Sequence, residues 1–240
     1  MNTKYIFSFK TIAILSVGII FLNACNKDYI TGGHTEDVNR HKDITTFDYL
    51  KTVQQFDTLT QLIEAGSLQD AINQQGTFFA VSNGDIYDYL NYRTRELQAT
   101  VNQDAKFTLD SLKYYIQNNI NGTKDSLLMY LIPGKVLTPD MLTQQGTLYP
   151  SGLAGDTVAV SFEFTKDPAS GYNSTVSTVP QLVYFTQLWQ HYVIDKDNAA
   201  ADVPSGVGVH TLVNSSFIYT KSGVVNALSF GVTLFFYGTK

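Results

Sequence analysis

The single cysteine of the chain, Cys25, follows Leu22-Asn23-Ala24 at the end of an apolar run from Ile12 to Phe21, with Lys4 and Lys10 upstream. A thiol behind a small residue at that place looks like a bacterial lipobox. Its sulfur would take a diacylglyceryl group, cleavage would follow Ala24, and the new amino terminus would be acylated. The other candidate chemistry is sparse. His34, His41, His191 and His210 lack a second imidazole at i+4, so no metal site and no cofactor are expected. Ser82 lacks the Gly-x-Ser-x-Gly context of a nucleophile elbow. Asp195-Lys196-Asp197-Asn198 opens like a calcium loop, yet its sixth position is Ala200 and its twelfth Gly206, where a glycine and a glutamate are required. No catalytic residue is expected, and the chain reads as a non-enzyme. Aromatic rings are the remaining signal. Tyr184, Phe185, Trp189 and Tyr192 lie within nine residues, and Tyr184, Trp189 and Tyr192 form a candidate ligand platform with Gln187, Gln190 and Asp195 as polar neighbours. The alternative is that these rings pack the core, which an aromatic content of 13% favours.

Such residues need a scaffold, and composition limits it. Loss of Lys4 and Lys10 with the leader takes Lys+Arg from 16 to 14 against 21 Asp+Glu, a net charge of −7. An acidic chain without a Lys/Arg cluster argues against nucleic acid as a partner. With no second cysteine there is no disulfide framework, so stability must come from one hydrophobic core. Residues 1–24 are read as a lipoprotein signal peptide. Residues 25–45 are read as the acylated cysteine and a polar tether of roughly 25 Å reach. Residues 46–240 form one domain with long loops.

Within that domain, Phe47, Leu50 and Val53 predict a first helix capped near Thr45 or Thr46. Leu59, Leu62 and Ile63, then Leu68 and Ile72, keep helical spacing, with Gly66 between the two. Thr77 to Val81 is a short apolar run suited to a fully buried strand, and Ser82-Asn83-Gly84-Asp85 has the residue types of a turn. Ile86 to Thr100 is amphipathic, and Leu109 to Ile120 predicts another helix stopped by Asn121-Gly122. Pro133-Gly134 should turn the chain, and Thr138-Pro139-Asp140 should restart helical structure. Val158, Val160, Phe162 and Phe164 alternate as in a half-buried strand. Lys166 to Val179 reads as an exposed loop, Leu182 to Val193 as strand or helix, and Asp195 to Gly208 as a second polar loop. Val209 to Thr220 and Val224 to Tyr237 predict a closing hairpin about Lys221-Ser222-Gly223, with Val232, Leu234 and Phe236 on one face.

Three stretches, in this order, resemble the fasciclin-like domain. The first is Thr77-Phe78-Phe79-Ala80-Val81-Ser82-Asn83, with Val81 where that family has proline. The second carries Tyr130, Pro133, Gly134, Lys135, Thr138 and Asp140, with Leu131 at a frequent histidine position. The third is Gly223-Val224-Val225, followed by Asn226 in place of histidine. The resemblance implies an α+β wedge, a helical N-terminal half packed on a β-rich C-terminal half, and a binding or adhesion module without catalysis. Lipoproteins of this kind accompany outer-membrane polysaccharide-import systems in some Gram-negative bacteria, which implies accessory glycan binding as the alternative. The expected partners are the membrane, through the lipid on Cys25, and a protein or glycan ligand. The expected location is the outer membrane, on its periplasmic or cell-surface face.

Overall fold

The computed structural model describes residues 40–175 and 179–239. The leader, Cys25 and the tether up to residue 39, His34 included, lie outside them. From Arg40 the chain is already held to the domain. Ile44 O accepts from Lys221 N at 2.8 Å, and the rings of His41 and Tyr49 stand 4.8 Å apart.

Helices fill the first half. They are α1 (Thr46–Lys51), α2 (Asp57–Ala65), α3 (Gln69–Ile72), α4 (Asn83–Thr100), α5 (Leu109–Gln117) and α6 (Thr123–Ser126). The apolar faces read from the sequence are the buried ones: Leu59, Leu62 and Ile63 of α2, Ile72 of α3, Leu112 and Ile116 of α5. One strand, β1 (Gly76–Ala80), interrupts this half and is buried throughout. The second half supplies β2 (Leu131–Pro133), β3 (Thr147–Pro150), β4 (Thr157–Phe164), β5 (Gln181–Leu188), β6 (Gly208–Thr220) and β7 (Gly223–Leu228). Among the described residues they make one seven-stranded sheet in the order β2-β1-β7-β6-β5-β4-β3, with β1 and β7 parallel and every other pair antiparallel. The fold class is α+β, helical first and β-rich second.

The parallel pair is anchored by two glycines. Gly76 lies opposite Gly223, whose φ of +141° is open to glycine, and a Cβ on Gly223 would sit 2.0 Å from Gly76 O. The sequence at Tyr130–Lys135 then wraps β1. Gly134 N donates to Gln75 O at 2.7 Å, and Thr77 Oγ1 donates to Lys135 O at 2.8 Å while accepting from Leu137 N at 2.9 Å. Tyr130 is buried between Phe185 and Phe236, with ring centroids at 6.3 and 5.8 Å, and its burial pushes the phenol pKa up.

Four local expectations need correction. Ser82-Asn83-Gly84-Asp85 is a helix start, because the residue types of turns are also those of N-caps. Ser82 Oγ accepts from Asp85 N at 3.3 Å, and Asp85 Oδ2 accepts from Ser82 N at 2.9 Å, closing a capping box on α4. Burial raises the Asp85 pKa above the ordinary carboxylate value, against the pull of the Ser82 hydrogen bonds. Asn83 also reaches across the chain, accepting from Thr58 N at 2.8 Å at the start of α2. Second, α5 ends at Gln117, and Asn119, at φ +48°, turns the chain ahead of Asn121-Gly122. Third, Leu182 to Val193 is a strand only as far as Leu188. Fourth, the closing strand stops at Leu228. Leu234 and Phe236 are buried, but in a 3-10 turn whose Phe235 and Phe236 have φ of +62° and +51°. That strained turn is held where Phe235 N donates to Tyr130 Oη at 2.8 Å.

The alternation in β4 is also only half of its account. Val158 and Val160 face the core, but Ala159 and Ser161 on the other side are buried as well. The chain between β5 and β6 covers them: Ala200 N donates to Gln145 O at 2.7 Å, and a Cβ on Gly146 would stand 2.8 Å from Ala200 Cβ and 3.4 Å from Ser161 Cβ.

Candidate functional site

Where β4 begins and β5 ends, the sheet opens into a cleft of about 510 Å³ lined by Trp189, Tyr192, Gln190, His191 and Asp156, with Leu148 and Leu188 among its apolar walls. That volume is typical of small-ligand sites. The wall from Trp189 to Tyr192 leaves β5 directly and is tied to the chain that re-enters β6. Trp189 N and Gln190 N both donate to Val207 O, at 3.0 and 3.3 Å. Gln190 Nε2 donates to Gly206 O at 3.0 Å, and Tyr192 Oη to Ala199 O at 3.3 Å. Trp189 is half-buried and leans on the hydrophobic core while lining the cleft.

Asp156 forms the polar side. Its Oδ2 accepts from Ser151 Oγ at 2.7 Å and its Oδ1 from Gln187 Nε2 at 2.8 Å. Ser151 and Gln187 are both buried, so the carboxylate is fixed by donors that cannot swing away.

The expected platform is thus divided. Trp189 and Tyr192 share the cleft, whereas Tyr184 lies outside it, stacked on His210 with ring centroids 4.3 Å apart and planes 10° from parallel. Phe185 is fully buried against Phe79, at 4.5 Å. Tyr184 sits within β5, whereas Trp189 follows Leu188, its last residue, where the chain leaves the strand. Of the expected polar neighbours, Gln190 lines the cleft and Gln187 acts through Asp156. Asp195 serves its own turn, accepting from Asp197 N at 2.9 Å and Asn198 N at 3.1 Å, and the bond from Asp197 leads in lowering its pKa.

Beside Tyr184 runs a polar row that the sequence did not reveal. Thr186 Oγ1 and His210 Nδ1 are 2.7 Å apart, and His210 Nε2 stands 3.3 Å from Glu163 Oε1. Thr186 lies opposite His210 on β6, which brings their side chains to one face. With the Thr186 hydroxyl donating to Nδ1, the imidazole carries its proton on Nε2 toward Glu163. Burial pulls the His210 pKa below its ordinary value, although Glu163 acts to raise it. The row has the residue types of a hydroxyl–imidazole–carboxylate relay, but Thr186 is fully buried and lies outside the cleft lining. It joins β4, β5 and β6 and offers no attacking hydroxyl to a substrate. Among the described residues, no group of three or more His, Cys, Asp or Glu side chains is placed to hold a metal ion. Nor is any described helix long and apolar enough to cross a membrane.

No family model matches the sequence, and no curated protein matches it. Among solved structures, the chain is similar to a FAS1 domain pair from the insect cell adhesion molecule fasciclin I. Identity is 10% and the TM-score 0.43, over 78% of this chain and 50% of that one. The chain spans about half the length of the structure it matches.

Proposed function

We propose that this chain is a lipid-anchored, extracytoplasmic binding module of the adhesive kind, without catalysis, and that its ligand seats in the cleft beside Trp189. The cleft carries the reading: about 510 Å³ of concave surface, two aromatic walls and a carboxylate fixed on both oxygens. The order of the three fasciclin-like stretches supports the adhesive class, and the apolar leader ending in Leu22-Asn23-Ala24-Cys25 supports an acyl anchor at the outer membrane. The same cleft favours a second reading, an accessory glycan-binding lipoprotein of a polysaccharide-import system. Aromatic faces bordered by amide and carboxylate groups suit a sugar ring and its hydroxyls.

Two experiments test this. Cys25→Ala should move the protein from the membrane to the soluble fraction and abolish acyl labelling; continued membrane retention of an unlabelled wild type would sink the anchor. Trp189→Ala should abolish binding on a glycan array or to a captured partner, while costing about 2 kcal/mol, less than the 3–5 typical of a fully buried ring. Unchanged binding by a folded Trp189→Ala protein would remove the cleft as the ligand site.

A further inference from the structure

We infer that the chain between β5 and β6 is a strap that lifts from the sheet when His210 takes up a second proton, a motion that stands whether or not the cleft holds the ligand. Among the described residues 190–207, Ala200 alone is buried. Its N–H donates to Gln145 O at 2.7 Å, and its methyl closes the space over Gly146 and Ser161. A segment with so few buried apolar contacts belongs to the low-stability end of a fold and opens locally. Beneath it, Ser161 Oγ is buried without a hydrogen-bond partner among the described residues. Water admitted by a lifted strap would satisfy that atom, which lowers the cost of opening.

The hydrogen bonds of His210 supply the trigger. Glu163 Oε1, an acceptor 3.3 Å from Nε2, keeps the proton of the neutral ring there, and Thr186 Oγ1 donates to Nδ1 at 2.7 Å. A second proton goes to Nδ1 and makes it a donor, so the Thr186 hydroxyl must turn and accept. Thr186 is fully buried, with His210 as its side-chain partner among the described residues, and its own hydrogen then has no acceptor. Water restores one and solvates the imidazolium, and the strap must lift to let it in. The ring is faced by Glu163 of β4, Tyr184 of β5 and Asp202 of the strap. Glu163 and Asp202 favour the charged ring, but burial outweighs them and holds its pKa below 6.5 while the strap is closed. The opened strap therefore holds the proton more tightly, and opening gains as pH falls below 6.5 toward the closed value. Tyr192 Oη donates to Ala199 O, beside Ala200, so the cleft wall loses a support in the same step.

The test is amide hydrogen exchange of the purified full chain, read at the Ala200 N–H between pH 7.5 and 5.5 and corrected for the intrinsic pH dependence of exchange. Protection there should be insensitive to low urea, as for a local opening. It should fall at least about threefold on acidification, where one proton at a group of pKa 6.5 allows at most roughly tenfold. His210→Asn, whose Oδ1 can still accept from Thr186, should abolish the fall. Glu163→Gln removes a charge that favours the imidazolium while keeping an acceptor toward Nε2, and it should move the fall to lower pH. Equal protection at the two pH values, or a fall that survives in His210→Asn, would overturn the response to this proton. So would a fall that stays in place or moves to higher pH in Glu163→Gln. A urea dependence at Ala200 equal to that of the β1 and β7 amides would also overturn it, because the strap would then open only with the whole fold.

Discussion

The two ends of the sheet are built to different rules. At the β2-β1-β7 end every residue of β1 and β7 is buried, the strands approach as closely as Gly76 and Gly223 allow, and the polar groups are matched. Thr77 both donates and accepts, Thr46 Oγ1 and Thr220 Oγ1 lie 2.9 Å apart, and Asn226 Oδ1 accepts from Phe217 N at 2.8 Å. At the β5-β4-β3 end the sheet carries the Glu163–His210–Thr186 row, the cleft, and buried polar atoms of Ser161 and Gln187 that lack a hydrogen-bond partner among the described residues. Buried polar atoms without partners cost stability, on the order of 1–3 kcal/mol each. The first end closes the fold; the second accepts that cost around the cleft.

The comparison can be broken most sharply at Gly223. An alanine there would drive its Cβ to 2.0 Å from Gly76 O at a φ of +141°, so Gly223→Ala should cost about 4 kcal/mol or more and separate β1 from β7. A denaturant melt with an unchanged midpoint would show that the parallel pair tolerates a wider spacing. Asn226→Ala comes next. Phe217, at φ +58°, sits in an irregular stretch of β6, and its N–H has Asn226 as acceptor. Loss of that acceptor should cost about 1–3 kcal/mol, measured in the same melt, and amide exchange at Phe217 should accelerate.

A smaller effect is expected at the cleft end, and it depends on pH. His210 lies among Glu163 of β4, Tyr184 of β5 and Asp202 of the covering segment. Burial lowers its pKa below the unfolded value of 6.5, so between the two values the unfolded chain holds more protons. The stability contributed is fully present above pH 6.5 and is lost as pH falls through the lower folded value. The wild-type melting temperature should therefore fall on acidification from pH 7.5 to 5.5, and His210→Asn should flatten that slope. An equal slope in the variant would place the titration elsewhere. The smallest effect belongs to Phe164, at the end of β4, which is 53% exposed with its ring edge-on to Phe162 at 5.2 Å. Phe164→Ala should change stability by no more than about 0.5 kcal/mol, in contrast with about 3–5 for Phe185→Ala. A loss of 2 kcal/mol or more at Phe164 would mean that the β3 end is packed like the other.

Sequence by itself determined the elements that depend on local period and backbone chemistry. The helices around Leu59-Leu62-Ile63 and Leu112-Ile116, the buried run of β1, the break at Pro133-Gly134 and the tight start of β7 at Gly223 all follow from side-chain spacing or the steric freedom of glycine. The domain as α+β follows from their order. Tertiary structure alone decided the rest, because it turned on which surfaces were covered by chain arriving from far away. Ser82 and Asn83 carry residue types that serve turns and caps alike. Only the start of α2, 25 residues upstream, shows what Asn83 is for. Tyr184 and Trp189 are equally aromatic, and nothing in their spacing says which of them borders open space. That was settled by the excursion between β5 and β6, which folds Ala200 over Ser161 and ties Trp189 to Val207, closing one face of β4 and leaving a cleft at its end. A hydrophobic period reports which residues favour burial. It holds no record of the long-range contacts that decide where burial stops.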